Sequence, residues 1–366
     1  MARTWAAREV VSLIASRPQW GARTDAVRHL GSGESYAAFA AEPVRGGPPL
    51  VIRVARRPRA ELPADPGEEF AGLRLAPPGI GPVPILLDAV VTDNGRGGGV
   101  TGPEPRVGTR GPETPGGGTR EYPVLIESLV PGRVLPPRAW TDAMRRATAG
   151  VLARLHELAF PGPGAASAAG AIAPGRVSYV AAVEGAIEHW TPRLSREAER
   201  EWAVHVAPMR RYAAEVEPEV AEVTTYALLH GDPALTNILV HPDDSSTRLV
   251  DWEWTHIGDP ARDLGFLGGA VAADPWYAAL SERQIADLVS AYVDAGGRGE
   301  PVALIRRRDA WLAAEGFAVL AYLLWLDADP TQRATPLNRE TVRGLRATLR
   351  DVLAPYASGP GRPLGS

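Results

Sequence analysis

Between Leu228 and Trp254 the chain reads LLHGDPALTNILVHPDDSSTRLVDWEW, and this stretch limits the fold more than any other. The apolar run ahead of His230-Gly231-Asp232 and the run Arg248–Trp252 are too short for helices and read as strands. Asn237 stands five residues after Asp232, on the segment that joins them. Two acids and an amide on two short strands joined by a loop can converge on one point. That point suits a hydroxyl nucleophile beside magnesium-bound phosphates. Asp232 would orient the hydroxyl and accept its proton, and Asn237 and Asp251 would hold hard cations through oxygen.

The set continues through Asp251-Trp252-Glu253 to Gly258-Asp259-Pro260-Ala261-Arg262-Asp263-Leu264. In this order, within residues 230–264, it resembles the antibiotic phosphotransferases: the aminoglycoside and macrolide kinases and their relatives, built on a protein-kinase-like fold. The resemblance implies an α+β, bilobal architecture. An N-lobe of antiparallel sheet plus one helix would cover residues 1–130. A larger, mainly helical C-lobe, catalytic and acceptor-binding, would cover 131–354, with a flexible tail over 355–366. It implies transfer of the γ-phosphate of ATP or GTP, with Mg2+, to a hydroxyl of a small molecule. Antibiotic inactivation is the leading role. A metabolic or biosynthetic kinase of a sugar, an amino alcohol or an antibiotic precursor is the alternative. A non-catalytic nucleotide-binding pseudokinase is a third reading, against which the intact Asp232, Asn237 and Asp251 speak.

Composition narrows the classes. The chain has 366 residues, enough for two lobes, and no Cys, so it has neither disulfides nor a thiolate metal site. That is compatible with the cytoplasm, the expected location. No run of 18 or more apolar residues points to a membrane span. All 39 basic residues are Arg. Residues 1–140 carry a net +3 (17 Arg against 14 acids) and residues 141–366 a net −7 (22 Arg against 29 acids). A nucleic-acid binder would show a basic stripe, so no nucleic-acid partner is expected. The split suits an anionic nucleotide on one side and a cationic acceptor on the other, or ordinary solvated charge.

Along the chain, residues 1–16 read as a helix, with apolar Trp5, Val10, Leu13 and Ile14 at helical spacing. Residues 25–30, 36–40 and 50–55 read as strands, the first two around the turn Gly31-Ser32-Gly33, whose glycines let backbone amides approach a phosphate. Residues 67–76 read as a helix carrying Glu68 and Glu69, and 82–87 and 122–129 as a strand pair. Between those strands, residues 95–118 hold ten Gly and four Pro, a composition that cannot bury a core and is expected to be mobile. Val130-Pro131-Gly132 marks the lobe boundary. Ile126–Leu129, with Glu127 and Leu129, would be a hinge offering backbone groups to a purine edge. Helical patterns follow at 140–158, 177–222 and 281–353, and His156 reads as a packing histidine.

One position departs from the family pattern. The strand Leu50–Ala55 would carry a Lys that contacts phosphates and pairs with a helix Glu. Here Arg53 stands in that place, with Glu69 or Glu68 as its partner. Arg keeps its charge and can grip phosphate bidentately. His230 would brace the catalytic loop, and Asp259 and Asp263 would cap a helix and tie that loop. For the acceptor the candidates are Glu184, Glu188, Glu315, Asp327 and Asp329, which would favour an amine-bearing molecule. Trp311, Phe317, Tyr322 and Trp325 suit a hydrophobic face, or the core.

Overall fold

The computed structural model describes residues 2–93, 119–166, 174–243, 246–268, 275–328 and 336–357. The Gly/Pro-rich stretch 95–118 lies outside the described residues. The chain separates into two compact units, Met1–Pro131 and Gly132–Ser366.

In the first unit, α1 (Ala7–Ala15) precedes β1 (Arg28–Ser32), β2 (Tyr36–Ala41), β3 (Leu50–Ala55), α2 (Pro66–Leu75), β4 (Pro84–Asp93) and β5 (Thr119–Ser128). The five strands form one antiparallel sheet in the order β1-β2-β3-β5-β4. Because side chains alternate along a strand, β3 has two different faces. Leu50, Ile52 and Val54 join Phe39, Val124 and Ile126 in a core closed by Trp5, Val10, Leu13, Ile14 and Trp20. Val51, Arg53 and Ala55 point the other way and are also buried. Removing a ring such as Phe39 from this core would cost about 3–5 kcal/mol. Asp65 starts α2 by accepting from Gly67 N–H at 2.9 Å, with Pro66 in the first turn.

The second unit is mainly helical. It runs through α3 (Asp142–Leu155), β6 (Ala159–Phe160), β7 (Gly164–Ala165), α4 (Tyr179–Trp190), α5 (Arg196–Ala221), β8 (Tyr226–Leu229), β9 (Ile238–Val240), β10 (Thr247–Leu249) and β11 (His256–Gly258). It continues with α6 (Ala261–Phe266), α7 (Glu282–Asp294), α8 (Pro301–Asp327) and α9 (Pro336–Leu353). Strands β9 and β10 form a hairpin, and a second small sheet has the order β6-β8-β11-β7. Helix α8 is long and apolar enough to cross a membrane by length and composition. It packs against α4, α5, α6, α7 and α9, and buries Arg308. It is the central helix of this unit.

The expected loose tail is corrected over its first residues. Residues 354–356 form a short 3-10 helix held on α5. The Tyr356 ring meets Tyr212 at 5.3 Å, its hydroxyl donates to Glu215 at 2.7 Å, and Arg211 donates to its carbonyl at 2.6 Å. An aromatic ring with two polar anchors outweighs the flanking Pro and Gly.

Candidate active site

In the second unit His230-Gly231-Asp232 leaves the end of β8, Asn237 leads into β9, and Asp251 follows β10. The hairpin β9–β10 therefore sets the separation of the amide and the second acid. Asn237 Nδ2 donates to Asp232 Oδ2 and to the Asp232 carbonyl, both at 3.0 Å. Its amide nitrogen is committed to Asp232, which leaves Oδ1 as the atom for a cation. Asp251 has φ +64, alone among the described non-glycine residues in the left-handed region.

Burial pushes the Asp232 carboxyl well above the usual carboxylate range, and the charges of Glu315, Asp251 and Glu253 add to that; the Asn237 bond opposes it. A cation placed among these acids would relieve the same repulsion. One carboxylate and one amide oxygen fit magnesium, which takes most of its remaining ligands from water and substrate phosphates. Among the described residues no group of three or more His, Cys, Asp or Glu could hold a metal by itself.

The loop around Asp232 is fixed from three sides. Gly231 has φ +86, and a Cβ there would stand 2.0 Å from the Trp254 carbonyl oxygen, so only glycine fits. The buried Asp263 carboxylate accepts from His230 N–H at 2.8 Å and Gly231 N–H at 3.0 Å. Buried His230 accepts at Nδ1 from Asp232 N–H (3.3 Å), and its Nε2 lies 3.0 Å from the Val250 carbonyl. That assigns the ring proton to Nε2. Burial pulls its pKa down, which keeps the ring neutral. Asp259 binds Ala261 N–H at 3.1 Å at the start of α6, and accepts from Arg307 and Trp311 of α8.

The first unit holds Gly31, Ser32, Gly33 and Arg53, the groups expected to meet phosphate. Gly31 and Ser32 end β1 and Gly33 begins the turn; a Cβ at Gly31 would meet nothing within 4 Å, and one at Gly33 only the Tyr36 carbonyl at 3.9 Å. Arg53 donates to Glu69 of α2, with the Tyr36 ring 4.5 Å from its guanidinium carbon. Its partner is thus Glu69, which is buried, and not Glu68. Glu127 is buried on β5. At Leu129 the expectation needs correction: its N–H already donates to the Pro49 carbonyl at 2.7 Å, so this amide is not on offer to a purine.

Of the five acceptor candidates, Asp329 lies outside the described residues, and the structure brings Glu315 to Asp232 electrostatically. Glu184 of α4 is gripped by Arg210 of α5 through two bonds of 2.7 Å, and Glu188 is exposed on α4. Asp327 ends α8. Trp311 and Phe317 are core residues, whereas Trp325 is exposed. Sequence reasoning missed Tyr277, whose phenol is raised by burial and by the charges of Asp232 and Glu315. It also missed the part played by Arg262, 3.8 Å from Glu315 and held at 3.3 Å by His256 Nε2. Arg262 was visible in the motif; Tyr277 carried no local signal.

Residues 26–311 match the model of the phosphotransferase enzyme family. No curated protein matches the chain. Similar solved structures include an ethanolamine kinase from Plasmodium vivax (12% identity, 96% of this chain and 90% of that one, TM-score 0.58). A choline kinase from Cryptosporidium parvum Iowa II matches at 10% identity over 96% and 98%, with TM-score 0.57. The aminoglycoside phosphotransferase APH(4)-Ia in a ternary complex with AMP-PNP and hygromycin B matches at 15% identity over 91% and 95%, with TM-score 0.53. At these identities the likeness is one of fold.

Proposed function

This chain belongs to the phosphotransferase enzyme family, and from that premise we propose that it moves the γ-phosphate of ATP or GTP to a hydroxyl of a small molecule, most directly in antibiotic inactivation. The observation that carries this reading is the grouping of Asp232, Asn237 and Asp251 on one rigid loop-and-hairpin frame. Asp232 aligns the acceptor hydroxyl and takes its proton as the bond to phosphorus forms. Asn237 and Asp251 would hold Mg2+, which would supply positive charge to neutralise the phosphates. Gly31, Ser32 and Gly33 offer backbone amides to phosphate, and Arg53, oriented by Glu69 and Tyr36, supplies a fixed positive charge. Glu315, beside Asp232 and Arg262, favours an acceptor with an amine near its reactive hydroxyl.

A kinase of a sugar, an amino alcohol or an antibiotic precursor uses the same groups, and the choline and ethanolamine kinases of like fold keep it as the second reading. The test is nucleotide turnover against aminoglycosides, macrolides, choline and ethanolamine, with the product mass read for one added phosphate. Acceptor-dependent turnover with an antibiotic supports the first reading, and with an amino alcohol alone the second. Nucleotide binding with no turnover by any acceptor would return the pseudokinase reading.

A further inference from the structure

Asp263, which grips the His230 and Gly231 amides, has a third donor. His156 Nε2, at the end of α3, lies 3.2 Å from Asp263 Oδ2. The other ring nitrogen, Nδ1, lies 3.0 Å from the hydroxyl of Tyr292 on α7, and the two rings meet edge to face at 5.6 Å. All three side chains are buried. One proton pattern gives every atom a partner. An ionised Asp263 takes a donor from Nε2, so Nδ1 is left to accept, and the Tyr292 O–H donates to it. Burial pushes the Tyr292 phenol up, so it keeps that proton.

The chain also builds a seat for Tyr292. Helix α7 ends in Ala295-Gly296-Gly297, where Gly296 has φ +96 and Gly297 N–H donates to the Tyr292 carbonyl at 2.9 Å. A Cβ at position 297 would stand 2.3 Å from the Tyr292 ring. Only glycine there leaves room for the ring whose hydroxyl meets His156. Four segments distant in sequence thus join in one hydrogen-bonded line: Tyr292, His156, Asp263, and the amides of His230 and Gly231 next to Asp232.

We propose that Tyr292 is a positioning residue for phosphoryl transfer: through His156 and Asp263 it fixes the His230–Gly231 backbone, and with it the place of the Asp232 carboxylate. The proposal rests on the reading of Asp232 as the base. Tyr292 touches no reacting atom. Its effect comes from geometry, because misplacing a catalytic group by about 1 Å costs up to about 100-fold in rate.

Tyr292→Phe removes the hydroxyl and keeps the ring. In the full chain, kcat for turnover of magnesium–ATP to ADP should fall about 3- to 10-fold, the scale of one hydrogen bond, with KM for the nucleotide within about twofold. Amide exchange at His230 and Gly231 should quicken, while that of Ile52 and Val54 stays as it was. In the unsubstituted protein, nitrogen NMR should find His156 protonated at Nε2 and bare at Nδ1. An unchanged kcat in Tyr292→Phe, unchanged exchange at Gly231, or a proton on His156 Nδ1 overturns the proposal. Exchange and NMR need no turnover. A chain that leaves magnesium–ATP and magnesium–GTP intact with every acceptor tested would count against the phosphotransfer reading, and those two measurements would still decide the role of Tyr292 in fixing the loop.

Discussion

The Arg53 guanidinium donates to the Glu69 carboxylate inside the N-terminal unit, and both side chains are more than nine-tenths buried. A charge pair so enclosed is held in one geometry, which is what a phosphate-facing cation needs. Arg53→Ala leaves the Glu69 carboxylate buried without its guanidinium and should destabilise the protein by about 3 kcal/mol. It should also raise KM for nucleotide more than KM for acceptor. Arg53→Lys keeps the charge and loses the fork, so it should retain part of the activity. Steady-state kinetics beside thermal denaturation separate the two effects; an Arg53→Ala protein with wild-type nucleotide KM would remove Arg53 from the site.

Gly231 is the second test. With φ +86 and the Trp254 carbonyl 2.0 Å from where a Cβ would stand, Gly231→Ala cannot keep the loop in place. Turnover should fall by roughly two powers of ten, from misplacement of Asp232. Nucleotide affinity, measured calorimetrically, should change far less. Wild-type turnover in Gly231→Ala would show that the loop geometry is not what positions Asp232.

Asp251 occupies the left-handed region at φ +64, a conformation costing roughly 1 kcal/mol for a residue with a Cβ. Asp251→Gly should therefore be more stable than Asp251→Ala by about that amount. Both should lose magnesium-dependent nucleotide binding. Equal denaturation midpoints for the two variants would contradict the strain, and magnesium-dependent binding in either would contradict the metal role.

His256 gives a pH dependence. Burial lowers its pKa from 6.5 to about 4 in the folded chain. The unfolded chain takes up the proton first, so this stability is present above about pH 6.5 and is lost as pH falls toward 4. Allowing for partial exposure, the loss is about 2 kcal/mol. Urea denaturation at pH 7 and pH 4.5 should show it, and His256→Asn should flatten the profile. An identical pH profile in the variant would rule His256 out as the source.

The parts legible in the sequence were those encoded at short range. Asp232 follows β8, and Asn237 and Asp251 flank the hairpin β9–β10, so close spacing in the sequence brings them together, although three strands in two sheets carry them and not the two expected. The strand Leu50–Ala55 shows its two faces by alternation, and Arg53 falls opposite the apolar set. The rest depends on helix packing. Glu315 reaches Asp232 because α8 packs on α6, and Tyr292 reaches His156 because α7 packs on α3. No local pattern announces either. Glu184 shows the converse, since a carboxylate on a helix says nothing of a partner such as Arg210 26 residues away. At Leu129 the strand edge claims, through Pro49, the amide that a hinge would offer.

The most direct measurement is made on Asp232→Asn, with the acceptor that supports turnover in the unsubstituted protein. Phosphate appearing on the acceptor is followed by mass, and magnesium–nucleotide binding by calorimetry, on the same preparation. Binding should survive while transfer falls by roughly two to four powers of ten, the scale of a positioned base. Transfer by Asp232→Asn at the unsubstituted rate would contradict the account at its centre.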